Sequence, residues 1–137
     1  VDVLDVLTGI CASQYTFWIT GNHDPEIPDT LPGQSCSELA IGAFRLVHIP
    51  QRRLDEAGEI AGHLHPVATV VGRGRAVKRR CFITYGQRMI LPAFGSYTGG
   101  LNIRDDAFKG MFDPKSMVVH VIGDRQIYSL PLHALDR

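Results

Sequence analysis

The sequence has no Cys-x-x-Cys pair, no apolar run near bilayer length, and no surplus of either charge. Its three cysteines, Cys11, Cys36 and Cys81, are odd in number and widely spaced. That pattern argues against a disulfide framework and against a cysteine-based zinc site. A reducing setting is the plain reading, with a cytoplasmic location as the expectation. No stretch approaches the ~20 apolar residues that cross a bilayer. The first residues also lack the basic, apolar and small-residue segments of a signal peptide, so no membrane partner is expected. Lys plus Arg and Asp plus Glu number 14 each. Attraction to an anion therefore has to come from local clustering or from bound metal. Repeats, low-complexity tracts and linkers that would divide domains are absent as well.

What is present suits one globular domain. A chain of 137 residues buries roughly two thirds of its unfolded surface, and its 45% hydrophobic residues are ordinary for that class. Val3, Leu4, Val6, Leu7 and Ile10 recur at helical spacing, which predicts an amphipathic helix over 1–13. Thr16 to Thr20 reads as a buried strand ending at Gly21. Residues 21–35, with Pro25, Pro28, Pro32 and Gly33, read as loop. Further strands are expected near 37–41, 43–48 and 59–62. Others are expected at 67–71, 79–85, 88–92, 117–122 and 125–130, with a short helical turn near 105–110. One helix with many strands predicts a mixed α/β layered sandwich.

Three of these strands end alike. The first leads to Gly21-Asn22-His23-Asp24, the next to His48, and the third to Gly62-His63-Leu64-His65-Pro66. The carboxyl ends of strands are where sheet proteins place ligands, and four of the six histidines sit there. Imidazole nitrogens with an amide oxygen suit Mn²⁺, Zn²⁺ or Fe²⁺. In an extended segment His63 and His65 would face opposite ways and serve two ions; in a loop they would converge on one. Gly62 would let the backbone approach the site. Asn22 offers a neutral oxygen ligand. His23 stands at the rim, where Asp24 would hold its ring and favour the protonated form that acts on a phosphoryl group. The bland alternatives are turn chemistry for Asn22-His23-Asp24 and an incidental pair for His63 and His65. Three such motifs in order outweigh them. His120, alternating with valines, reads as structural, and His133 as solvent-exposed.

Those three motifs, taken in order, resemble the calcineurin-like metallophosphoesterases. Leu91-Pro92-Ala93-Phe94-Gly95-Ser96-Tyr97-Thr98-Gly99-Gly100, with Arg73-Gly74-Arg75 and Cys81-Phe82, resembles the bacterial DNA-ligase-associated branch, over about residues 15–102. The resemblance implies a two-metal phosphoesterase. Asn22, His48 and His63 would ligate one ion and His65 the other, with Mn²⁺ foremost and Zn²⁺ or Fe²⁺ as substitutes. His23 would be the catalytic histidine, supported by Asp24. A phosphodiester, nucleic acid or nucleotide substrate and DNA-repair partners follow from the resemblance alone. The family's early D-x-H and G-D motifs are not found in the sequence, and the chain starts Val1-Asp2 without Met. It therefore reads as the C-terminal portion of a single such domain, spanning 1–137, trimmed or partial at its start. Asp2 and Asp5 read as solvated helix residues and not as ligands. Lacking its first motifs, the chain is expected to be weakly active and to leave a sheet edge open to self-association.

Arg73, Arg75, Lys78, Arg79 and Arg80 place five basic residues within eight positions. They read either as a solvated hairpin connection or as a phosphate-facing patch, with Arg73, Arg75 and Arg79 as substrate contacts. No aromatic is interleaved to stack bases. A non-catalytic domain that binds nucleic acid or a partner is the rival reading. A single structural metal site is another.

Overall fold

Asp2 opens the chain's one α-helix among the described residues. Its carboxylate accepts the Leu4 N–H at 3.0 Å and so caps helix α1 (Val3–Ala12), satisfying a donor that the helix start leaves unpaired. Asp2 and Asp5 are both exposed there. The computed structural model describes residues 2–53, 58–72, 74–95 and 97–136. Arg73, one of the expected substrate contacts, lies outside them. Helix α1 forms where its periodicity placed it, but its apolar residues Val3, Leu4, Val6, Leu7 and Ile10 are exposed and only Cys11 is buried. The helix is thus not the packed layer that an amphipathic pattern predicts.

Strand β1 (Phe17–Ile19) pairs in parallel with β2 (Gln34–Cys36). The reading of 21–35 as loop throughout is corrected here. Gln34 N–H donates to Thr16 O and Thr20 N–H to Cys36 O, both at 3.0 Å. Gln-Ser-Cys has little strand preference of its own, and the partner strand supplies it. The Trp18 indole closes the intervening loop by donating to Pro32 O at 3.0 Å.

A larger sheet of eight strands holds the rest: β3 (Glu38–Ile41), β4 (Phe44–Val47), β5 (Gly58–Ala61), β6 (Val67–Gly72), β7 (Arg75–Tyr85), β8 (Arg88–Ile90), β9 (Val118–Ile122) and β10 (Ile127–Pro131). The order is β10-β9-β7-β8-β5-β4-β3, with β6 also beside β7. Strands β4, β5 and β8 run parallel, and the other pairings are antiparallel. The fold is a mixed α/β one dominated by sheet, as expected from the sequence. No helix is long and apolar enough to cross a membrane among the described residues.

Strand β7 starts at Arg75, four residues before its expected start. Arg75 to Arg80 pair only with β6, and Cys81 to Tyr85 pair with β8 and β9. From Arg75 to Arg80 the basic run is therefore part of a strand and not a connection between strands. Alternation on that strand sends Arg75, Val77 and Arg79 to one face and Ala76, Lys78 and Arg80 to the other.

Ala61, Ala68, Cys81, Ile83, Ile90, Val119 and Val121 make the core, closed by Phe108, Met117 and Leu135. Burial pushes the Cys81 thiol up to about 12, against a backbone hydrogen bond at Ala68 that lowers it, so it stays an inert packing group. Glu59 and Arg88 face each other across the β5–β8 pair, each side chain 1% exposed. Arg88 Nε stands 2.9 Å from Glu59 Oε1. The angle misses that of a hydrogen bond, so this contact is an ion pair. Glu59 Oε2 also accepts the Gln51 N–H at 3.0 Å and Arg45 at 3.4 Å, while Arg88 donates to Met111 O and Gln51 O. Multiple partners are what make a buried pair tolerable.

Candidate functional site

Parallel pairing of β4 with β5 brings their carboxyl ends together. The register sets Val47 opposite Ala61, and Gly62 N–H donates to His48 O at 3.1 Å just beyond. The β1 end delivers Gly21 and Asn22 to the same place. Gly21 is required there, because a Cβ at that position would stand 2.5 Å from the His48 ring. Close approach was expected at Gly62, but a Cβ on Gly62 would meet only His48 O, at an ordinary 3.8 Å. The crowded glycine is Gly21.

Three polar atoms converge at these strand ends. Asn22 Oδ1 lies 2.8 Å from His48 Nε2 and 3.0 Å from His63 Nδ1, and the two ring nitrogens are 3.3 Å apart. The rings meet edge to face, with centroids 5.2 Å apart. Ligands bound to one ion at ~2.1 Å are about 3.0 Å apart at octahedral corners and about 3.4 Å apart at tetrahedral ones. The triad matches one face of such a shell. Its third member is an amide. No group of three His, Cys, Asp or Glu side chains gathers at ligating distances among the described residues.

His63 and His65 both adopt positive φ, 61° and 46°, a conformation uncommon outside glycine and found at sites where the surroundings enforce it. The segment is therefore a loop. His63 turns to the triad, while His65 does not join it. His65 lines an adjoining cavity of about 430 Å³ with His23, His63, Thr98, Gly99 and Gly100. Asn22 and His48 line a second opening with Arg45, Gln51 and Glu38. The expected single cavity is thus two, with the triad at their border and His23 at the rim.

Burial is the largest influence lowering the His48 pKa. His63, His65 and His23 lower it further, and Asp24 opposes them. His65 is lowered by burial first, then by His63 and His23. A backbone hydrogen bond at Gly99 raises it, and the charge of Arg80 lowers it. Neutral imidazoles are the form that binds metal. The Asp24 carboxylate was expected to hold the His23 ring. Among the described residues no such hydrogen bond forms, and Asp24 acts instead on His48. Its backbone closes the turn by accepting the Gly21 N–H at 3.2 Å.

The basic residues divide between the two faces of β7. Arg79 pairs with Asp124 at 3.0 Å on the surface, and Arg75 lines the same shallow groove with Val77 and Tyr128. Arg80 faces the other way. Its guanidinium donates to Phe94 O at 3.3 Å, Gly95 O at 2.6 Å and Thr98 O at 3.4 Å. It thereby fixes the loop that walls the His23–His65 cavity. The sequence placed Arg80 in the basic run without this role. Strand alternation was the available signal, had the strand's true start been legible. His120 is structural, held between Thr84 Oγ1 and Ser129 Oγ at 2.7 Å each. His133 is exposed.

No family model and no curated protein matches the sequence. Among solved structures, the chain is similar to the crystal structure of Pseudomonas putida nuclease MPE, at 25% identity and a TM-score of 0.67. The similarity covers 93% of this chain and 59% of that nuclease. The chain therefore spans about three-fifths of that protein's length, and over nearly all of its own length its fold is similar to part of that nuclease's.

Proposed function

We propose that the chain carries part of a metal-dependent phosphoesterase site of the calcineurin-like type, acting on nucleic acid or another phosphodiester. The observation that carries this reading is the triad of Asn22, His48 and His63. These are three neutral donors at 2.8–3.3 Å from one another, at the carboxyl ends of strands in a chain whose fold is similar to part of a nuclease's. The donor set and its spacings fit a divalent ion of the Mn²⁺, Zn²⁺ or Fe²⁺ kind. Asn22, His48 and His63 would hold one ion, and His65, across the loop, would contribute to a second. A bound pair would supply Lewis acidity at the phosphoryl oxygens and an activated water.

The chain's own residues do the rest. His23, exposed at the rim, faces the substrate and passes a proton to the departing ester oxygen as the P–O bond breaks. His63 and His65, both at positive φ, line one opening, and His63 also reaches Asn22 and His48. Arg80 and the carbonyls that it holds keep the cavity wall in place.

The test pairs two variants in the full-length protein. His63→Ala should lose bound Mn²⁺, measured by calorimetry, and lose aryl phosphodiester hydrolysis by well over about a hundredfold, since outer partners of metal ligands alone are worth 10–100-fold. His23→Ala should lose comparable turnover with metal binding near that of the wild type. Equal metal loss in both variants would reverse the assignment of roles.

A further inference from the structure

Strand β7 has neighbours on both sides over only part of its length. Arg75 to Arg80 pair with β6 alone, whereas Cys81 to Tyr85 pair with β8 and β9. Cys81 marks the change. Its N–H donates to Pro66 O at 3.1 Å on the β6 side, and Val121 stands opposite it on the other. Backbone groups alternate between the two sides along an antiparallel strand. Those of Ala76 and Lys78 therefore point away from β6, into the lane that β9 leaves when it ends at Ile122. Both residues are exposed. An open edge of this kind is a template for another strand.

The side chains around the edge decide which strand it accepts. Val77, across from Val70 on β6, is 45% exposed, and Tyr128 on β10 is 50% exposed. Both line a groove of about 290 Å³ together with Arg75 and Arg79. Gly123 lets the Tyr128 ring lie over the β9–β10 turn, because a Cβ there would stand 2.6 Å from it. Arg79 is neutralised by Asp124. Arg75 and Lys78, on opposite faces of the strand, have no acidic partner among the described residues. Pairing with a second copy of this strand would set like charges against one another, which destabilises a ladder. A strand that carries carboxylates meets the opposite sign on both faces.

We propose that the open edge of β7 is a docking site for an extended acidic segment of a partner protein, which adds to the sheet as a further strand. The segment's backbone bonds to Ala76 and Lys78, its carboxylates meet Arg75 and Lys78, and an apolar side chain enters the groove beside Val77 and Tyr128. Main-chain bonds give such an added strand its affinity, and pockets for alternate side chains give it specificity. A nucleic-acid strand would also meet the cations, but its phosphates and sugars do not match the alternating donors and acceptors of a strand edge. The groove lies on the face of β7 opposite to Arg80, away from the wall of the histidine cavity.

The experiment compares the wild type with the Arg75→Glu/Lys78→Glu double variant. Both side chains are exposed, so the variant should keep the wild-type urea midpoint. The probe is a labelled acidic octapeptide with one central leucine among glutamates and threonines, and fluorescence anisotropy follows its binding. The comparison ligands are the same peptide N-methylated at its central amides and an oligothymidylate of equal charge. Wild type should bind the acidic peptide, and amide hydrogen exchange at Ala76 and Lys78 should slow when it does. The double variant should bind it at least about tenfold more weakly, because like charges facing each other across an interface are penalised. The N-methylated peptide should lose binding, since it cannot complete the ladder. An N-methylated peptide that binds as well as its parent would overturn strand addition. Tighter binding of the oligothymidylate than of the peptide, lost in the variant, would give the groove to nucleic acid and overturn the proposal. No binding of the acidic peptide, or binding that the variant keeps in full, would overturn it as well.

Discussion

The two ends of this chain are built differently. From Ala61 onward the side chains interlock around Ile83, Ile90 and Val119, each 0% exposed. Before residue 50 the only buried hydrophobic among the described residues is Cys11, while Ile10 is 54% exposed and Phe44 47%. Yet the triad draws from both. Asn22 and His48 come from the thinly packed end, and His63 from the packed one. A site on such a border has one rigid wall and one wall with little apolar burial to resist opening, and local stability follows such differences in packing. The contrast teaches that matching distances alone do not make a rigid site; the packing behind each donor decides how firmly it is held.

The comparison can be broken most directly at the buried ion pair. Arg88→Met would leave Glu59 buried with a charge matched only by the more distant Arg45. It should destabilise the fold by about 3–5 kcal/mol. Arg79→Ala, which removes a surface pair with Asp124, should cost less than about 1 kcal/mol. Equal urea midpoints for the two variants would show that the buried pair does not organise the packed end.

A second break lies in the apolar residues. Ile83→Ala opens a cavity in the core and should cost about 2–5 kcal/mol. Ile10→Ala removes an exposed side chain and should change stability by no more than about 0.5 kcal/mol. Denaturant unfolding of both variants measures the difference. A comparable loss for Ile10→Ala would mean that helix α1 is packed in solution against something that stabilises it.

The smallest effect is in pH, and it sharpens the comparison at the border itself. His48 and His65 have folded pKa values below the ordinary 6.5, with burial as the chief cause. As pH falls below 6.5 the unfolded chain takes up these protons before the folded one does. Their contribution to stability is therefore complete above that value and is lost as pH drops toward the folded pKa values. Stability measured between about pH 7 and 5 should fall with acid, and less so in a His48→Gln/His65→Gln variant. An identical slope in that variant would show that the two imidazoles are not desolvated.

Much of the architecture was readable because its signals are local. Val3 to Ile10 carry helical spacing, and nine of the ten strands among the described residues were anticipated, each a run of strand formers or a stretch closing on a turn. Strand β2 escaped notice because Gln34-Ser35-Cys36 is a strand only through its pairing with β1. The early start of β7 was obscured because Arg75, Lys78, Arg79 and Arg80 carry a surface composition. They pair with β6 all the same, because backbone hydrogen bonds do not depend on the side chains.

By itself the sequence determined which chemistry is on offer. Asparagine and histidines follow three strand-like runs, and apolar residues recur at helical spacing from Val3 to Ile10. These follow from residue type and short-range spacing, which survive without knowledge of the fold. Only the tertiary structure decided who meets whom. The parallel β4–β5 register brings His48 to His63, and Gly21 clears room for the His48 ring. Strand alternation sends Arg79 to Asp124 and Arg80 to the cavity wall, so two adjacent arginines have unrelated tasks. Each of these depends on contacts between residues far apart in the chain, whose geometry is set by packing and long-range hydrogen bonding and by no local preference.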